Sequence, residues 1–236
     1  MLPHVRSILD DIAGLVEDNM GRIQETRYDI ELKPDGSPVT KSDIFIEQMV
    51  KDYLHVQIPG LDFLGEESYR ADARVGGAYV ALLDPIDGTE NFCSGLKEWG
   101  LSFGLWHEGR HLGSMLLMPE LGERLVTGDR LRPLHSRING FSSSFTEEIA
   151  QAMREVQESR IMGCAVYNLY NVIRGAFGRF RNPKGAYAWD LLPGLMLALE
   201  HGCDVQVNEE KFDGSFLEPD RKYRVDIRQR HDRHPG

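Results

Sequence analysis

The sequence predicts a layered domain that mixes α and β structure. Three observations predict it. Amphipathic helical stripes recur along the chain, apolar runs of strand length lie between them, and no internal repeat or long Gly/Ser/Pro-rich linker divides it. With 236 residues, 41% hydrophobic and 27% charged, the chain is long enough for one large domain or two small ones and too apolar to be disordered. No apolar run reaches the roughly 20 residues that a membrane-spanning helix needs.

The elements follow in order. Val5, Ile8, Leu9, Ile12, Leu15 and Val16 keep helical spacing and predict a first helix with acids on its other face. Lys33-Pro-Asp-Gly-Ser-Pro38 is turn chemistry. Thr40 or Ser42 then caps a second helix whose stripe is Ile46, Met49, Val50, Tyr53 and Leu54, ending before Pro59-Gly60. Tyr79 to Leu83 predicts a buried strand, and Leu101–Trp106 with Leu112–Leu117 a hairpin, extended by Arg124–Thr127. Helices are expected from Thr146 to about Glu158, from Ala165 to Phe177 with Gly178 as the stop, and from Leu191 to His201 before Gly202. Short strands are expected at Ile161-Met162 and Val205–Val207, and residues 179–184 read as a basic loop. The expected organisation is one domain over residues 1–227, with an N-terminal half to about 135 and a C-terminal half over 136–227. A polar tail, 228–236, closes the chain.

Thirty-seven acids against 27 bases give a net charge of −10, which disfavours nucleic acid as a partner. The same surplus suits a hard cation if it is concentrated. Cys93, Cys164 and Cys203 are odd in number and widely spaced, so they read as reduced thiols. Met1 to Met20 carries Asp10, Asp11 and Glu17 where a secretory leader would be apolar. A cytoplasmic location is the expectation.

The chemistry concentrates in Asp84-Pro-Ile-Asp-Gly-Thr-Glu-Asn-Phe92. Two carboxylates three residues apart follow a buried strand, and the Ile86 carbonyl lies between them. Carboxylates and a carbonyl are the donors that divalent cations prefer. If Gly88-Thr89 opens a helix, its free N–H groups form an anion site beside them. An Asp/Pro/Gly turn with no ligand has the same composition. Gly65-Glu66-Glu67 after Leu61–Leu64, and Trp189-Asp190 at a helix start, supply further acids.

Together with Thr40-Lys-Ser-Asp43, these segments resemble the inositol monophosphatase family of magnesium-dependent, lithium-sensitive sugar phosphatases. The likeness runs in order to about residue 207. It implies alternating helix and sheet layers (αβαβα), a homodimer, and a phosphoric monoester hydrolase that uses two or three Mg2+ to direct water at a small phosphate monoester. By position it implies Glu66, Asp84 and the Ile86 carbonyl as ligands of one metal, and Asp84, Asp87 and Asp190 as ligands of a second. A third would sit at Glu66, with Glu67 acting through water. Thr89 with Asp43 matches the pair that deprotonates the attacking water. Asp87, Gly88 and Thr89 would meet the phosphate, Gly163, Cys164 and Ala165 the substrate, and Lys33 lies in the loop that closes over it.

Departures from the family concern the substrate. No acid lies between Arg174 and Trp189, where inositol-hydrolysing members hold a sugar-binding glutamate; Arg179, Arg181 and Lys184 stand there instead. They are either surface or readers of a second anionic group. Cys164 replaces a family hydroxyl, which implies one lost polar contact. Ser94-Gly95 and Trp99-Gly100 are similar to the histidinol-phosphate phosphatase branch, although Trp99 also fits a core position. The alternatives are thus a histidinol-phosphate phosphatase, a fructose-1,6-bisphosphatase or a 3′(2′),5′-bisphosphate nucleotidase. Outside catalysis, the alternative is a regulatory or RNA-linked binding protein. His231 and His234 form a weak metal pair or a solvated one.

Overall fold

The computed structural model describes residues 5–70, 76–132, 134–142 and 145–230. Helix α1 (Val5–Asp18) buries Ile8, Leu9, Ile12, Ala13 and Val16, the face that its spacing predicts. A short α2 (Met20–Glu25) and the hairpin β1 (Ile30–Leu32) and β2 (Pro38–Thr40) follow, so the turn at 33–37 joins two small strands. Thr40 caps α3 (Lys41–Gln57) by accepting from the amides of Ser42 and Asp43.

The first sheet is built from β3 (Asp62–Gly65), β4 (Tyr79–Asp87), β5 (Gly100–His107), β6 (Arg110–Met118) and β7 (Glu123–Val126), ordered as numbered. Only β3 and β4 are parallel. Helix α4 (Thr89–Cys93) leaves the end of β4. The second sheet has the order β12-β11-β13-β10-β8-β9. It comprises β8 (Ile138–Phe141), β9 (Glu158–Ile161), β10 (Arg179–Ala186), β11 (Asp204–Val207), β12 (Glu210–Lys211) and β13 (Tyr223–Arg228). Between these strands lie α5 (Glu147–Arg154), α6 (Ala165–Ile173) and α7 (Ala188–Glu200).

Burial defines the layers. Ala81 and Leu83 of β4 pack with α1 and α3, whereas Leu82 packs with α6 and α7. A strand covered on both faces has no polar side, and the unbroken apolar run follows. The other faces of α6 and α7 meet Phe180, Val205, Val225 and Ile227 of the second sheet. Helix α5 covers Phe141 beyond it. The layers are therefore α, β, α, β, α, as expected.

Several expectations need correction. Residues 179–186 form a strand, β10, inside the second sheet and not a loop, and β13 takes Arg228 from the expected tail. Helix α5 stops at Arg154, and α6 stops at Ile173 because Gly175 turns left-handed at φ 82°. Helix α7 begins at Ala188, three residues early. His231 and His234 lie outside the described residues.

Asn91 of α4 ties the segment before β5 to the segment before α6. Its side-chain amide donates to the carbonyls of Glu98 and Met162, each at 2.7 Å. Asn91→Ala leaves both acceptors without that donor, and a loss of roughly 1–3 kcal/mol is expected in urea unfolding. A variant as stable as the parent would show that the tie carries no stability.

Candidate active site

The site begins with a count along β4. Its ladder with β5 pairs Asp84 with Ser102, then resumes with Asp87 opposite Gly100. Three steps on β4 thus match two on β5, which is a bulge of one residue. Side chains three apart on a regular strand point to opposite faces. The extra residue turns that odd spacing into an even one and puts Asp84 and Asp87 on the same face, toward α6 and α7. Pro85 fits here because a bulge does not need every N–H.

Two other elements bring acids to Asp84. Glu66 leaves the end of β3, held by its amide to Leu83 O at 3.0 Å. Asp190 sits in the first turn of α7, where it accepts from the Tyr187 amide at 2.7 Å. Glu66, Asp84 and Asp190 each offer an oxygen within 4.8 Å of the others. Asp84 Oδ1 accepts from the Ile86 amide at 3.0 Å, while Oδ2 is buried with no partner. An orphaned carboxylate oxygen between two further carboxylates fits a divalent cation as the missing partner. Burial and then the neighbouring charges push the Asp84 and Asp190 carboxyls well above the usual carboxylate range.

The remaining expected residues are placed as follows. Asp87, close enough to feel the charge of this trio, accepts on Oδ2 from the Val166 amide at the start of α6 and from the Cys164 thiol at 2.9 Å; burial raises its carboxyl to about 6. Cys164 caps α6, its sulfur accepting from Tyr167 N at 3.3 Å. The thiol therefore makes both local bonds of a capping hydroxyl here. Gly88, at φ 81°, caps α4, and a Cβ there would stand 2.9 Å from Cys164 Cβ. Gly163, also left-handed at φ 71°, packs on the Asn91 side chain, and Ala165 opens α6.

Thr89 Oγ1 donates to the Ile86 carbonyl at 3.0 Å, and Asp43 accepts from Thr40 N at 2.8 Å and Thr40 Oγ1 at 2.5 Å. The two side chains are thus bonded locally and not to each other. Burial raises the Asp43 carboxyl to about 6. Lys33 Nζ bridges Glu66 and Glu67, 2.8 Å from each, and so supplies the cation nearest the acids. Burial, then Glu66, raises Glu67 to about 7. Trp99 is fully buried, with its indole N–H on Glu120 at 2.7 Å, which settles it as a core residue. Arg181 lies against Phe141 on the α5 side of the second sheet, away from the acids, and Lys184 is exposed.

Sequence reasoning missed Glu47. It is buried on α3 and accepts from the Glu67 amide at 2.8 Å, which fixes the turn carrying Glu66. Its position one helical turn after Asp43 was the available signal. Also missed was the wall of Tyr69, Tyr187 and Trp189, which lines a cleft of about 270 Å³ with Lys33 and Glu66. Tyr187 stacks on Trp189 at 4.9 Å, and Tyr69 tilts onto it at 5.5 Å.

The profile of the inositol monophosphatase family matches residues 6–142, more than half the chain. The chain belongs to the inositol monophosphatase family. It is a phosphoric monoester hydrolase. Inositol-1-monophosphatase of Rhizobium meliloti (strain 1021) is 27% identical over 208 residues, covering 78% of this chain and 76% of that one. A histidinol-phosphatase of Mycobacterium tuberculosis is 33% identical over 109 residues, 45% of this chain and 41% of that one. A solved IMPase/NADP phosphatase complexed with Mg2+ and phosphate superposes with a TM-score of 0.77 at 18% identity, over 95% of this chain and 90% of that one. This last likeness bears on the fold.

Raised carboxyl pKa values carry a sign. The folded chain holds protons that the unfolded chain has released, so the stability they contribute is full below about pH 4 and is lost as pH rises through 6 to 7. Lys33, held above its ordinary value, stays charged throughout that window. The thermal midpoint of the metal-chelated protein should fall from pH 5 to pH 8, and added Mg2+ should raise it more at pH 8. Equal midpoints with and without Mg2+ at both pH values would remove the carboxylates as its binding site.

Proposed function

We propose that this phosphatase is magnesium-dependent and hydrolyses a small soluble phosphate monoester by direct attack of water, with no covalent intermediate. The observation that carries the reading is the convergence of Glu66, Asp84 and Asp190 around the partnerless Asp84 Oδ2. Those three, with Asp87, the Ile86 carbonyl and Glu67 at the edge, would hold two or three Mg2+. Bound there, the metal supplies positive charge for the phosphate and leaving oxygen and lowers the pKa of water.

The chain's own groups do the rest. Gly88 and Thr89 present backbone amides at the start of α4, where an anion is favoured. Asp43, raised to about 6, is poised to accept a proton near neutral pH, and the Thr89 hydroxyl would release the Ile86 carbonyl to pass it one. Lys33 moves from Glu66 toward the phosphate once the acids are neutralised. Asp87 fixes the start of α6, so that Gly163, Cys164 and Ala165 frame the substrate. A homodimer, lithium sensitivity and a cytoplasmic location accompany this family reading.

Within this class, one observation favours an alcohol that carries a planar ring. Tyr69, Tyr187 and Trp189 form the wall nearest Glu66, and the family's sugar-binding glutamate is replaced by a segment with no acid. Aromatic faces stack closely over a flat unsaturated ring, whereas a polyol ring offers them only its C–H face. Histidinol phosphate, the substrate named for the mycobacterial relative, has such a ring.

Phosphate release should be measured with and without Mg2+ on inositol 1-phosphate, histidinol phosphate, fructose 1,6-bisphosphate and 3′-phosphoadenosine 5′-phosphate. Mg2+-dependent turnover is expected, with the ring-bearing esters ahead of the polyol. Asp84→Asn should lose turnover and calorimetric Mg2+ binding together while keeping its fold. Full activity in that variant would overturn the assignment.

A further inference from the structure

Strand β10 carries cations that the active site does not use. Its alternation sends Phe180 into the core between the sheets and leaves Arg179, Arg181 and Pro183 on the outer face. The register sets Arg179 opposite Arg228 of β13 and Arg181 opposite Asp226. Like charges directly across a ladder repel. One carboxylate serves that pair: Asp226 accepts from Arg179 Nε at 2.7 Å and again from its Nη2, and from Arg228 at 3.3 Å. Arg224 is held by Glu209 at 3.0 Å.

Arg181 is left over. Among the described residues no carboxylate forms an ion pair with it, Glu148 on the opposite lip included. Its Nε is buried without a partner, and Nη2 reaches only the Ala152 carbonyl at 3.5 Å. The guanidinium lies 5.0 Å from the centre of the Phe141 ring, which fixes its plane and supplies no acceptor. In front of it opens a cleft of about 180 Å³. A second cleft of about 350 Å³ shares Arg179, is lined by Arg137 and Arg228, and has no carboxylate in its wall. Across both clefts five arginines meet three carboxylates, an excess of two positive charges in a chain of net charge −10. Neither cleft shares a lining residue with the one in front of Glu66.

We propose that this outer face of the second sheet is a separate binding site for a phosphate group, anchored by Arg181 and flanked by Arg179 and Arg228. A phosphate dianion matches the excess of two charges, and its oxygens match the planar fork that Arg181 presents with open donors. The site is independent of the catalytic reading, because it rests on none of the carboxylates assigned to metal.

The test is calorimetric titration of the full chain with inorganic pyrophosphate, with metal chelated so that the carboxylate cluster repels the anion. Saturable binding near one equivalent is expected at physiological ionic strength. Arg181→Ala should weaken it by about tenfold or more, Arg181→Lys by less, and Asp84→Asn not at all. Arg228→Gln, on a half-exposed side chain, gives a second reduction that does not depend on how Arg181→Ala packs. Parallel titrations with inorganic phosphate and glucose 6-phosphate separate the sources: tighter binding of the ester assigns an organic phosphate, and equal binding assigns phosphate itself. Absence of saturable binding, or binding that survives Arg181→Ala and Arg228→Gln, would overturn the proposal.

Discussion

Repulsion between Glu66, Asp84 and Asp190 is the interaction on which the arrangement depends. Three carboxylates with oxygens within 4.8 Å of one another oppose folding, and burial of Asp84 strengthens the opposition. Rigid local devices hold each in place. The Glu66 turn is fixed by Leu83 O and, through Glu67, by Glu47; Asp84 by the amide of Ile86; Asp190 by the Tyr187 amide in the first turn of α7. Lys33 neutralises part of the charge from a hairpin that is largely exposed. The scaffold tolerates a charge density that protons relieve at low pH and that a bound cation would relieve at neutral pH.

Those devices come from different parts of the chain. Glu66 and Asp84 belong to the first sheet, whereas Asp190 follows β10 of the second. The middle layer, α6 and α7, joins them, since Leu82 on one side and Phe180 on the other share one core with it. Asn91 and Gly88 seal the seam from the α4 side, against Met162 and Cys164. The packing that stabilises the layers is therefore also what sets the separation of the acids.

Much of this was legible in the sequence, for identifiable reasons. The stripes of α1 and α3, the apolar run of β4 and the β5–β6 hairpin are local patterns, and the structure keeps them. The acids at 66, 84 and 190 were legible because hard-cation chemistry restricts the residue types. What was not legible depended on neighbours. β10 hides as a loop because arginines occupy one face and Pro183 and Gly185 interrupt the alternation, and the expected tail took in Arg228, the last residue of β13. Arg181 therefore looked available to the substrate, although the pleat turns it to the α5 side. Asp87 reads as a partner of Asp84, but the sequence does not show that α6, far along the chain, also supplies donors to its Oδ2. Asp43 and Thr89 are each claimed by a residue three positions off, a competition that spacing alone does not reveal.

The bulge in β4 makes the site a matter of parity. Asp84 and Asp87 share a face only because one residue more stands between them than the facing strand has. Removing either Pro85 or Ile86 would restore a regular ladder and keep the two aspartates on one face, two positions apart, but it would take away the bulge that turns the Ile86 carbonyl to the Thr89 hydroxyl. The segment therefore tolerates exchanges of residue type better than changes of length. Among descendants of such a chain, insertions and deletions should be purged from these four positions even where substitutions survive.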